Sequence, residues 1–365
     1  MIAFEASGLL TTQPTGVATY GRALLQALLD FNDSHESSHW RLVYPVSRWC
    51  RRALLSDIGI PTRPYFAGLT LPTRSSLVHL LDTRLPTQYR GPIVATVFDT
   101  IAALPVSRDK GLSSERFRQR KLRAYEMISK RADVVITLSD AVRSEFLQRF
   151  PQTRRVEVIP PGVSVPPSEA HESGDLEALR PFAIRKPFLL ALGALCPRKN
   201  LEAVVRAFEL AREEQDNLQL VLMGAEEYGW CGSHGQQAVE ACQAPVVVTG
   251  YLSRAVVWAA LRQAACLLQL SHYEGYGLTA LESMAVGTPV IASPRGGLPE
   301  AVGDAGWLVE PEDTDSVQRV ILRILAADDR VSEKIRKGQS RAGACNWARA
   351  ARAVRALHLE IASGV

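Results

Sequence analysis

The run from Cys266 to Ser293 constrains the fold more than any other part of the chain. Cys266–Leu270 is an apolar stretch of the length of a buried strand. A glycine turn, Gly275-Tyr276-Gly277, follows it. Leu278, Leu281 and Ala285 then recur at helical spacing, Gly287-Thr288-Pro289 ends that helix, and Val290-Ile291-Ala292 reads as another buried strand. Strand, turn, helix and strand in so short a run is the repeating unit of a parallel sheet covered by helices. A helix that starts on glycines offers free backbone N–H groups to an anion. Glu274 and Glu282 bracket this turn and helix start, eight residues apart.

The same alternation runs through the rest of the chain. Met1–Ala6, Leu42–Val46, Leu77–Leu81, Pro92–Phe98, Asp133–Leu138 and Val156–Ile159 read as strands of a first half. Pro187–Leu195, Leu218–Met223, Val246–Thr249 and Trp307–Val309 join the central pair in a second. Between the halves, Pro160 to Gly174 is rich in Pro, Ser and Glu, the composition of a linker. The expectation is therefore an α/β chain of two doubly wound, Rossmann-like domains. The first covers residues 1–165, a linker 166–186, the second 187–345, and a terminal helix 346–365 packs back toward the first. A cleft between two such domains, lined by strand carboxyl ends, is the expected site.

Composition closes off several function classes. A net charge of +4 over 365 residues is too mild for a dedicated nucleic-acid binder. The 6 cysteines are scattered with no C-x-x-C pair, which argues against zinc and for a reducing compartment. No apolar run approaches a membrane span, and Met1–Ala6 lacks a basic leader. The expected location is cytoplasmic, with the inner membrane face as an alternative. A helical pattern at Ser113–Arg131 carries Arg116, Arg118, Arg120, Lys121 and Arg123, which fits either an anionic membrane surface or a solvated face.

A few residues carry chemistry. Arg198-Lys199 stands just before a helical pattern, where the helix dipole disfavours cations by about 0.3–1 kcal/mol each. Either an anion such as a diphosphate lies nearby or the pair is solvated surface. Glu274 and Glu282 are an acid/base pair, fixed acceptors for sugar hydroxyls, or one capping acid and one surface acid. Gly16 opens the first helix after the first strand, as a ligand contact or as a turn-former. Asp99 follows a strong strand, facing a ligand or capping the next turn. Asp313-Thr314-Asp315 has the spacing of a metal–nucleotide site, with a helix cap as the plainer role. His79 and His272 stand alone and read as structural. No P-loop, G-x-G-x-x-G, H-E-x-x-H or G-x-S-x-G occurs, so ATPase, dehydrogenase, zinc protease and serine hydrolase readings lack support.

These residues resemble a known family. PTGVATYGRALLQAL (Pro14–Leu28), ADVVITLSDAVRSEFL (Ala132–Leu147), IPPGV (Ile159–Val163), FLLALGALCPRKNLEAVVRAF (Phe188–Phe208) and above all EGYGLTALE (Glu274–Glu282) are similar to the retaining glycosyltransferases of family four, which have the GT-B architecture. The resemblance implies that Arg198 and Lys199 bind a donor diphosphate. It implies that Glu274, with Gly275, Tyr276, Gly277 and Leu278, holds the donor sugar. Glu282 would hydrogen-bond the ribose, Gly250, Tyr251 and Leu252 would contact the base, Gly16 would line the donor site, and Asp99 would face the acceptor. Glu274, Asp99, Arg198 and Lys199 are the implied catalytic set.

Transfer of a hexose would retain configuration and need neither metal nor cofactor. The segments look most like bacterial mannosyltransferases of surface polysaccharide or lipopolysaccharide assembly. That points to GDP-mannose, with a UDP-linked donor as the other choice, and to a saccharide or lipid-linked acceptor. One departure stands out: Phe98 precedes Asp99 where the family often has histidine. The alternatives are a nucleotide-sugar epimerase on the same fold and a catalytically weak nucleotide-sugar-binding subunit.

Overall fold

The computed structural model describes residues 1–13, 15–31, 40–66, 75–85, 89–165, 172–227 and 229–363. Pro14 and residues 166–171 of the expected linker lie outside the described residues. The chain divides into two compact units. The first comprises Met1–Ala103, Arg116–Gly162 and Cys345–Val365, the second Leu104–Glu115 and Val163–Ala344. Leu104–Glu115, read from sequence as part of the first domain, is thus grouped with the second.

In the first unit, β1 (Ile2–Glu5), β2 (Trp40–Pro45), β3 (Thr62–Tyr65), β4 (Leu77–Leu80), β5 (Ile93–Val97), β6 (Val134–Thr137) and β7 (Val156–Val158) form one sheet in the order β3-β2-β1-β4-β5-β6-β7. Every pairing is parallel. Strands β4, β5 and β6 are buried along their whole length, because helices cover both faces. β3 is absent from the sequence reading because Pro64 interrupts it. Proline is tolerated there because β3 is the edge strand. The helices Gly16–Asp30 and Trp347–Ser363 pack on each other. Tyr20 meets Phe98 and Trp347 edge-on, with ring centroids 5.0 and 5.4 Å away. Phe98 is thus a packing residue of this aromatic cluster.

In the second unit, β8 (Phe188–Leu192), β9 (Gln219–Met223), β10 (Val246–Gly250), β11 (Cys266–Gln269), β12 (Val290–Ala292) and β13 (Trp307–Leu308) repeat the plan in the order β10-β9-β8-β11-β12-β13, again all parallel. The amphipathic helix Leu201–Arg212 buries Val204, Val205 and Phe208 against the sheet. A fully buried phenylalanine of this kind contributes roughly 3 kcal/mol. Both sheets reverse their strand order beside the first strand, at β1/β4 and at β8/β11. Open α/β sheets bind ligands beyond the strand carboxyl ends at such a reversal.

Candidate active site

The loops that leave β8 and β11 meet at the reversal of the second sheet. After β8 the chain turns at Gly193, makes the short helical turn Pro197–Lys199, and enters the helix Leu201–Arg212. After β11 it runs through Ser271 to Glu274 and starts the helix Leu278–Ala285 on Gly277. Hydrogen bonds fasten the two loops together: His272 N donates to Arg198 O at 2.9 Å. Asn200 Nδ2 donates to Leu270 O at 3.1 Å.

Three donors converge on one carboxylate oxygen. Arg198 Nη1 lies 2.7 Å from Glu274 Oε1, and Lys199 Nζ and Ser271 Oγ each donate to the same atom at 2.9 Å. Burial alone would raise the Glu274 pKa, but the charges of Arg198 and Lys199 overcome it and hold the group down at about 2. A carboxyl ionised at every physiological pH cannot cycle a proton there, so its chemistry is that of a fixed acceptor and negative charge. Gln269 Oε1, buried and without a hydrogen-bond partner, lines a small cavity with Gly193, Lys199 and Ser271.

Glycines make this packing possible. Gly277 has a left-handed φ of 117°, and a Cβ there would come within 2.8 Å of Leu298. Gly296 and Gly297 press so closely on the acidic loop that a Cβ would stand 2.2 Å from Glu274 O and 2.3 Å from Gly275 O. Gly297 N also donates to Glu274 O at 2.8 Å. The sequence reading passed over Gly193, Gly296 and Gly297. Adjacent glycines before a helical turn were the available signal.

Glu282 sits inside the helix Leu278–Ala285, with little exposure. Arg254 forks onto it, Nη2 to Oε1 at 2.6 Å and Nη1 to Oε2 at 3.4 Å. Arg254 opens the helix that follows Gly250, Tyr251 and Leu252. Gly250 ends β10 at a register shift with φ of 70°, and Tyr251 is exposed. Arg254 was not singled out in the sequence, because its partner lies 28 residues further on.

Gly16 and Asp99 belong to the first unit. Gly16 has open space where a Cβ would stand and no left-handed φ, so no tight turn demands glycine there. Asp99 Oδ1 accepts from Ile101 N at 3.2 Å, and Tyr125 donates to Asp99 O at 2.8 Å. This is the capping arrangement. Of the basic helix, Lys121 turns toward Asp82 at 3.6 Å and Thr83 at 3.1 Å, so its charge is not part of a continuous solvated stripe with Arg116, Arg120 and Arg123. Asp313 caps the helix Thr314–Leu325, accepting from Ser316 N at 3.0 Å. Among the described residues no cluster of His, Cys, Asp or Glu could hold a metal, and no helix is long and apolar enough to cross a membrane.

Two family models match the chain: "Glycosyl transferases group 1" over residues 179–341 and "Glycosyltransferase Family 4" over residues 73–165. An Escherichia coli O-antigen chain mannosyltransferase B is 30% identical over 59% of this chain and 58% of its own length. A Mycobacterium tuberculosis GDP-mannose-dependent alpha-(1-6)-phosphatidylinositol monomannoside mannosyltransferase is 28% identical over 54% of each. The chain spans about half the length of the curated relatives it matches. The Anabaena protein HepE, solved in complex with UDP-glucose, superposes with a TM-score of 0.75 at 17% identity, covering 98% of this chain and 99% of that one.

Proposed function

Because the chain belongs to the group 1 glycosyltransferases, we propose that it moves a hexose from a nucleotide sugar to a saccharide or lipid-linked acceptor. Transfer retains configuration and uses no metal ion. The observation that carries this reading is the convergence of Arg198, Lys199 and Ser271 on Glu274 beside a glycine-started helix. The bond from the sugar's anomeric carbon to the diphosphate breaks as the bond to the acceptor oxygen forms, and the acceptor's hydroxyl proton passes to the departing diphosphate oxygen. Negative charge then grows on the diphosphate, and two fixed cations beside the start of the helix Leu278–Ala285 stabilise it without reorganising. Lys199 has three N–H donors, and Glu274 takes one of them. Glu274 in turn accepts from sugar hydroxyls, and Glu282 from the ribose.

Mannose carried on GDP is the proposed donor, in surface-polysaccharide assembly. The names of the E. coli and M. tuberculosis relatives support this. A UDP carrier is the other choice, given the HepE complex. The proposed setting is the cytoplasm or the inner membrane face.

A thermal-shift series with GDP-mannose, UDP-glucose and ADP-glucose tests the reading, since a bound ligand raises apparent stability. GDP-mannose should raise the melting temperature most and be consumed when an acceptor extract is added. A flat response to all three donors would overturn the proposal.

A further inference from the structure

The carboxyl edge of the first unit carries a cluster of cations that the transfer chemistry of the second unit does not use. Arg48 and Arg51 lie on the helical turn Val46–Ile58, directly after β2. Both reach back to one neutral acceptor, the carbonyl of Leu10 beyond β1, at 3.5 and 3.4 Å. Arg84 follows β4 by four residues and is exposed. Strands β2, β1 and β4 are neighbours, so the three residues follow strands at and beside the reversal point of the first sheet. Burial, then the like charges of Arg84 and Arg51, depress the Arg48 pKa against the smaller opposing pull of Asp82 and Glu5, so Arg84 and Arg51 each lie within electrostatic reach of Arg48.

Carboxylates offset this charge only in part: Asp82 and Glu5 act on Arg48 through space, less strongly than Arg84 and Arg51. Among the described residues none of the three makes an ion pair with a carboxylate. Asp82 is held by Lys121 and by Thr83 N at 2.6 Å. The other acid, Glu5, is fully buried beneath the cluster with Ser7 and Tyr65 donating to it. Desolvation lifts its pKa to about 8, so at neutral pH it is mostly a neutral carboxyl. Like charges gathered at a ligand-binding edge without a directly paired carboxylate are an unfilled half of an interaction.

We propose that Arg48, Arg51 and Arg84 form an anion site for a phosphate or diphosphate group, carried by the acceptor. Guanidinium forks match phosphate oxygens two at a time, and each guanidinium has five N–H donors. Leu10 takes one from Arg48 and one from Arg51, which leaves several donors for a tetrahedral, multiply charged group. A single carboxylate would satisfy only one fork. The anion site stands on its own geometry; its assignment to the acceptor rests on the proposed transfer reaction.

Titration calorimetry of the full chain with inorganic pyrophosphate tests it. Wild type should show two binding events. Arg198→Ala should remove one, and Arg84→Ala should weaken the other about tenfold. Arg48→Ala/Arg84→Ala should abolish that second event. Arg84 is exposed, so Arg84→Ala should melt like wild type and keeps the test valid if the double variant does not fold. Two events in Arg48→Ala/Arg84→Ala, or a single wild-type event removed by Arg198→Ala, would overturn the site. Loss of the event in Arg198→Ala reads on the donor assignment alone, so the two proposals fail separately. Co-sedimentation with phosphatidylglycerol-doped vesicles separates the sources. Vesicle binding unchanged in Arg84→Ala supports a phosphate on the acceptor. Lost vesicle binding with an unchanged pyrophosphate titration overturns it in favour of a lipid surface.

Discussion

A Cβ placed on Gly193 would stand 2.9 Å from the Nζ of Lys199. The lysine ammonium therefore occupies the space that any other residue at 193 would take, and Gly193 also holds a φ of 122°. Gly193→Ala should cost about 1–3 kcal/mol in backbone strain and push Lys199 off Glu274. The expected outcome is a lower melting temperature together with weaker binding of a nucleoside diphosphate. Calorimetry that shows unchanged affinity would leave Gly193 with a purely conformational role.

Glu274 neutralises the two cations it is proposed to work beside. Glu274→Gln removes that negative charge while preserving shape. Free nucleoside diphosphate should bind Glu274→Gln at least as tightly as wild type, and more tightly at low salt, because Arg198 and Lys199 lose their competing partner. Transfer should fall about a hundredfold, since removing one fixed polar partner of a transition state typically costs that much. Weaker diphosphate binding in Glu274→Gln would mean that the carboxylate positions the cations instead of competing for them.

The parts of this site that lie within one local pattern could be read from the chain, and the parts made by distant approach could not. The strand–glycine–helix–strand run around Glu274 carries its own periodicity, so its elements and their order followed from spacing. Arg198-Lys199 was conspicuous because cations sit badly before a helix. Gly296 and Gly297 matter only because Glu274 O and Gly275 O come against them, and Arg254 only because Glu282 does. No local rule contains those approaches. β3 failed for a related reason: Pro64 contradicts a central strand, and only the sheet order shows that the strand is an edge.

His79 and His358, each alone in the sequence, form a buried pair with Nδ1 and Nε2 3.0 Å apart, and Thr96 Oγ1 lies 3.0 Å from the other nitrogen of His79. Burial holds the His358 pKa down at about 3, and burial with the neighbouring His358 holds His79 well below its usual value. The unfolded chain takes up these protons below about pH 6.5 while the folded chain does not. Their stabilising effect is therefore full above about pH 6.5 and lost as pH falls toward 3, by up to about 2.7 kcal/mol per pH unit for two groups. Glu5 acts in the opposite direction. Its folded pKa of about 8 exceeds the ordinary 4.5, so its contribution is full below 4.5 and lost as pH rises through 8. Together the three groups place maximum stability near about pH 6.5. Urea midpoints across pH 4–9 check this, and His358→Gln should make the acid limb less steep. A midpoint that keeps rising from about pH 6.5 to 8 would contradict the Glu5 assignment.

Arg254 grips both oxygens of Glu282 while its guanidinium lies 4.8 Å from the centre of the Trp258 ring. Such a fork fixes the carboxylate's rotamer, and a pair whose arginine is half-exposed adds little to stability, about 0–1 kcal/mol. Its value is therefore expected in binding. If Glu282 accepts from the ribose hydroxyls, Arg254→Ala leaves that acceptor mobile, and the contact is lost equally in the ground and transition states. KM for the nucleotide sugar should rise about tenfold with kcat unchanged, which is the signature of lost uniform binding. Arg254→Lys should recover only part of the loss, because an ammonium cannot make the fork. The decisive comparison uses dideoxy nucleoside diphosphates. Wild type should prefer the ribose form, and Arg254→Ala should prefer it less. Equal loss of affinity for both forms would show that Arg254 meets the nucleotide elsewhere than at the ribose.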